Sequence, residues 1–160
     1  MKNLGISILA ILLLTPSLLW AKEVIDLTSK VEIEVVTTNE QGEQVTVRQP
    51  ASKVLPGETL IYTNTYHNVG DDLAQNIVVN NAVPAHTSYI AGSAFGDGCE
   101  ILLSADGGKS YASEGELTVV GDDGTSRPAL PEEITHLRWI VREYQKPGDG
   151  GDVGFRVRLQ

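Results

Sequence analysis

Residues 55–94 alternate chain reversals with short runs of β-forming residues, and this rhythm limits what the chain can fold into. Leu55-Pro56-Gly57-Glu58-Thr59-Leu60-Ile61-Tyr62 opens the block, Asn68-Val69-Gly70 turns it, and Val83-Pro84-Ala85 closes it. Pro presets a turn dihedral while Gly and Asn tolerate the left-handed region, so each cluster ends an element. Asn68 and Gly70 can take positive φ. The block reads strand, turn, strand, turn, strand.

The same pattern extends on both sides, and helical periodicity is absent. Val31-Glu32-Ile33-Glu34-Val35 alternates apolar and acidic residues, as a strand with one wet face does. Further strands are predicted at 45–47, 60–67, 74–80, 87–92, 100–104, 117–120, 137–141 and 153–159. The fold class expected is all-β: an immunoglobulin-like antiparallel β-sandwich with Greek-key connections. Period-2 logic assigns Tyr62, Tyr66, Val78, Tyr89, Leu102, Trp139, Phe155 and Val157 to the core. Trp139 reads as a core indole between sheets rather than a ligand-stacking platform. The last strand signal runs to Leu159, which predicts no sorting tail.

Pro56-Gly57, Tyr62-Thr63 on a strand, Asn68-Val69-Gly70, and a Val-rich strand ending in Asn81-Ala82-Val83-Pro84 together form a recognisable order. It resembles the bacterial domain of unknown function eleven, the conserved repeat domain of surface proteins, over residues 55–94 and more loosely to the C-terminus. The resemblance implies an exported surface or envelope module, here in single copy, and names no substrate or reaction.

The address is written at the start. Met1-Lys2 is basic, residues 4–14 are almost wholly apolar, and Thr15-Pro16-Ser17 breaks any helix before Leu18-Leu19-Trp20-Ala21. Residues 1–21 read as a secretory signal peptide cut after Ala21, leaving 22–160 as a single domain. An uncleaved anchor is the alternative, which Pro16 and the short apolar run disfavour. No stable membrane span is expected after cleavage, and the destination is periplasmic or extracellular.

The chain carries a formal net charge of −9, from 12 Lys and Arg against 21 Asp and Glu. Such a balance repels phosphate backbones, so nucleic acid is not an expected partner. Cys99 is the only cysteine. It precludes an internal disulfide and reads as a small half-buried residue, with an intermolecular disulfide or reactive thiol as the alternative.

Several motifs invite chemistry. Ser104-Ala105-Asp106-Gly107-Gly108-Lys109-Ser110-Tyr111 resembles the Asp-box hairpin of sialidase-like propellers, which is a structural turn in that family. Asp71-Asp72, Asp122-Asp123-Gly124 and Asp149-Gly150-Gly151-Asp152 place hard oxygens on turns. Calcium needs six to eight such ligands, so a site would require two loops to meet, with Asp122, Asp123, Asp149 and Asp152 as candidate ligands. Solvated turns explain the same residues. His67, His86 and His136 show no catalytic or metal spacing. Glu132-Glu133 follow Pro131 as a turn, and adjacent residues on an extended chain point apart. Lys53 with Asn80 or Asn81 is conceivable as an isopeptide pair, although the final strand lacks the usual Asn.

Two readings of function remain. The first is a non-enzymatic structural or protein-interaction module of the cell envelope, whose edge strands or loops meet a surface protein. The second is a calcium-dependent glycan- or ligand-binding β-sandwich. No cofactor is expected unless calcium is bound.

Overall fold

The computed structural model describes residues 24–160, so the predicted leader and its cleavage point lie outside the described residues. It is an all-β sandwich of antiparallel strands. Eleven strands follow in chain order: β1 (Ile25–Thr38), β2 (Gln44–Pro50), β3 (Thr59–Asn68), β4 (Ile77–Ala82), β5 (Thr87–Tyr89), β6 (Phe95–Gly96), β7 (Cys99–Ser104), β8 (Thr118–Val120), β9 (Ser126–Pro128), β10 (His136–Val141) and β11 (Gly150–Leu159). A 3-10 turn, Pro131–Glu133, precedes β10.

One sheet runs β2-β1-β3-β11-β5, with β6 also paired to β11. The second runs β4-β10-β7, and β8-β9 form a separate hairpin. The chain crosses between layers after β3, after β4, after β6 and after β10. β1 is long because it serves two neighbours. Its first part, Ile25 to Ile33, pairs with β3, while Glu32 to Thr38 pairs with β2. The β1–β2 hairpin therefore projects beyond the body, and β1 has no neighbouring strand on its outer side from Ile25 to Lys30, Val31 O being met by Ala51 N–H.

The core lies between the two sheets. Trp139 and Phe155 are fully buried, 6.1 Å apart between ring centroids, and Tyr62 stacks on Phe155 at 5.5 Å. Tyr66, Tyr89 and Val157 are also buried, as expected. Val78 and Leu102 are not core residues. Val79 and Leu103 occupy those places, and Val78 is 46% exposed. The reason is register: residues directly opposite in an antiparallel ladder share a face. Trp139 pairs with Val79 and Ile101, and Leu137 pairs with Leu103. Once Trp139 points inward, the odd-numbered residues of β4 and β7 must follow.

On the outer face of the first sheet, Ile61 is also fully buried. Its cross-strand neighbours are Glu32 and Arg156. Arg156 forms two bonds of 2.9 and 2.8 Å to Glu34, and Arg48 approaches the same carboxylate at 3.4 Å. These long side chains lie over a strand that would otherwise be wet.

Candidate functional site

Where β1 lacks an outer neighbour, it faces β4, the edge strand of the second sheet. Cross-strand pairing with Tyr66 puts Leu27 on the inward face of β1, but no strand covers it and it is 48% exposed. On the opposite wall Leu73 is 60% and Val78 46% exposed. Together with Val24, Ile25 and Ile77 they line a groove of about 440 Å3, and no charged residue contributes to its lining. Exposed apolar residues scattered singly need no explanation, but here they are grouped beside an unpaired strand edge.

The loop that forms one wall is held by Asn68, a residue whose role differs from expectation. Neither Asn68 nor Gly70 has positive φ; among non-glycine residues described, Asn76 and His86 do. Asn68 is buried. Its Nδ2 donates to the carbonyls of Asp72 and Gln145 at 2.8 and 2.9 Å, and its Oδ1 accepts from Gly70 N–H at 3.0 Å. Its backbone N–H donates to Asp149 O, and its carbonyl accepts from Gly148 N–H. One amide thus joins the end of β3, the loop into β4 and the connection between β10 and β11. Asn followed by Gly signals a turn, but not that the side chain is its internal scaffold.

Two of the candidate calcium ligands, Asp123 and Asp149, are occupied with their own turns. Asp123 accepts from Thr125 N–H and Oγ1, which holds its carboxyl below the usual range. Asp122 is exposed in the same β8–β9 turn. Asp149 accepts from Lys146 N–H, and Asp152 from Thr65 Oγ1. Among the described residues no three His, Cys, Asp or Glu side chains are grouped to hold a metal, so the four aspartates do not converge. Calcium and magnesium at equal millimolar concentration should therefore shift the melting temperature equally and slightly, by screening. A bound calcium would add about 2.7 kcal/mol at a hundredfold excess over its dissociation constant. Differential scanning calorimetry distinguishes the two outcomes, and a calcium-specific shift lost in Asp149→Ala would favour the metal-dependent reading.

Asp152 does line a second cleft of about 450 Å3, with Asp97, Glu143, Phe95 and Tyr66. A Cβ on Gly151 would lie 2.7 Å from the Tyr66 hydroxyl, so glycine is needed for the phenol to cross β11. Burial pushes the Tyr66 phenol up, reinforced by Cys99 and the nearby carboxylates. Cys99 is half-buried beside it, and burial raises its thiol too, which reduces the reactive thiolate.

The Ser104–Tyr111 segment is a closed turn. Asp106 accepts from Ser104 Oγ, Lys109 N–H, and both Ser110 N–H and Oγ, which keeps it far below the ordinary carboxylate range. Ser104 Oγ in turn accepts from Gly108 N–H, and the Arg138 guanidinium lies 3.8 Å over Tyr111. Glu133, rather than pairing with Glu132, bonds Arg127 and Leu130 N–H and is held down to about 2. Asn80 Oδ1 accepts from Arg138 Nε at 2.7 Å, while Lys53 is exposed in the β2–β3 connection.

Among the described residues no helix is long and apolar enough to cross a membrane. Comparison with family models, with curated proteins and with solved structures found no significant match.

Proposed function

We propose that the protein is a non-enzymatic, exported structural or protein-interaction module of the cell envelope, a single β-sandwich of the conserved-repeat, immunoglobulin-like kind. The observation that carries this reading is the apolar groove between the open edges of β1 and β4. An unpaired strand offers a row of backbone donors and acceptors to any extended segment, and the adjoining apolar walls reward its docking. The conserved-repeat reading draws further support from the turn at Pro56-Gly57, where Gly57 has φ 92°, and from the central place of Asn68. The basic start and apolar run of the leader support export.

Site-specific photo-crosslinking in the native host tests this. A photoreactive residue at Val78 should yield a discrete crosslinked envelope protein, and one at Glu40, exposed in the β1–β2 turn, should not. Equal, diffuse yields from both positions would remove the basis for an interaction module.

A further inference from the structure

We propose that the groove between β1 and β4 receives an extended segment of a partner protein, paired along β4, with apolar residues at alternate positions and Lys or Arg beside them. This rests on the interaction-module reading and adds the chemistry of the partner.

The edge itself argues for an extended occupant. β4 carries Ile77-Val78-Val79-Asn80-Asn81-Ala82, with neither charge nor proline, and its register with β10 runs without a bulge. Natural edges are usually blunted by such devices. The outer edge of the other sheet is an example, since β2 bears Arg48 and ends in Pro50. A helix would cover the apolar walls but leave the backbone row of β4 unpaired. A strand at about 4.8 Å satisfies both, and alternate side chains then turn toward the groove.

A second observation lies inside the sandwich. Asn64, on the inward face of β3 next to β1, is only 4% exposed. Ser29 Oγ donates to its Oδ1 at 2.6 Å, yet its Nδ2 is buried without a partner. Such a donor is costly to leave unpaired, and Ser29, which meets the other end of the amide, stands on the open stretch of β1.

Charge decides which partner. No Lys or Arg occurs from 54 to 108, the stretch that supplies β4 and the loop before it, and Asp71 and Asp72 lead into Leu73. Asp26, between Ile25 and Leu27, falls on the outer face of β1, and Lys30 is the first cation along that strand. Arg138, on the neighbouring β10, is turned onto Tyr111. The groove is thus neutral, with the exposed Asp72 at its flank, on a chain of net charge −9. A second copy would bring like charges together, whereas a basic-flanked strand is attracted and held in register.

Selection of a randomised displayed library, with peptides of about 10 residues, against the exported protein provides the test. Enriched peptides should alternate apolar residues, carry net positive charge and weaken with salt. Their binding should fall at least about tenfold on Val78→Arg and on Leu73→Arg, both at exposed positions where an unchanged melting temperature confirms folding. No enrichment, acidic or helix-period peptides, or binding indifferent to both substitutions would overturn the proposal. So would a dimer in sedimentation velocity that Val78→Arg dissociates, since a second copy would then fill the groove. If selection fails while Val78 still crosslinks to a discrete protein, the module reading survives and the partner chemistry does not; diffuse crosslinking removes both.

Discussion

Trp139→Ala is expected to lower the unfolding free energy by about 3–5 kcal/mol, the largest loss for any single side chain in the second sheet. The indole is fully buried against Phe155, with Val79 and Ile101 as its cross-strand partners. Its Nε1 donates to Phe95 O at 2.9 Å, so it also fastens the short β6 strand to the core. Gly96 is part of that fit, because a Cβ there would lie 3.0 Å from the indole ring. Truncation opens a cavity walled by two sheets that cannot both collapse into it. Urea titration should show a lower midpoint at similar slope. Trp139→Phe should retain most of the volume and lose less. An unchanged midpoint in the alanine variant would mean that the indole contributes no packing.

Asn68 should be nearly as sensitive, for a different reason. Asn68→Ala removes three side-chain hydrogen bonds and leaves Gly70 N–H and Asp72 O without their partner, while Gln145 O keeps only its bond from Ala74 N–H. Unsatisfied buried groups cost roughly 1–3 kcal/mol each, and partial access of water to the loops brings the expected loss to about 3 kcal/mol. Asn68→Asp should be worse at neutral pH, because a carboxylate would face two carbonyl oxygens. Its folded-state pKa is then raised above the unfolded value. The deficit is greatest when the pH exceeds the folded value and shrinks as the pH falls and the acid gains a proton to donate. Urea titration across pH 4 to 8 checks the sign. Hydrogen exchange should show the loop before β4 opening first, which would also loosen the wall at Leu73.

How much of this was legible depends on whether a feature is local. Turn chemistry placed most strands, because Pro56-Gly57 and the glycines after Asp106 and Asp123 are read residue by residue. The Ser104–Tyr111 turn was legible for the same reason. Parity in β4 and β7 was not. Ile77-Val78-Val79 and Ile101-Leu102-Leu103 are apolar on both faces, and only pairing with β10 fixes which side is buried. β6 and β9 were missed because two or three residues carry no periodicity. The long first strand exceeded its predicted core of 31–35 since Ser29, at an inward position, interrupts the alternation along an open edge. The groove itself depends on two strands from different sheets and cannot be read from either alone. Asn68 was noticed for its backbone, whereas its side chain carries the structure.

The long β1 and β11 strands also determine how the domain bears load. Both pair antiparallel with β3, so they run in the same direction on either side of it. Ile25 lies opposite Asn68 at one end of β3, while Arg158 lies opposite Thr59 at the other. Tension applied between the beginning of β1 and the end of β11 therefore acts along the strands. The two ladders would slide against their full length, about 30 Å, with many hydrogen bonds resisting together. Peeling would break them one after another at much smaller force. The same fold can thus yield easily at the β1–β2 hairpin, which projects from the body, yet hold firm when pulled end to end.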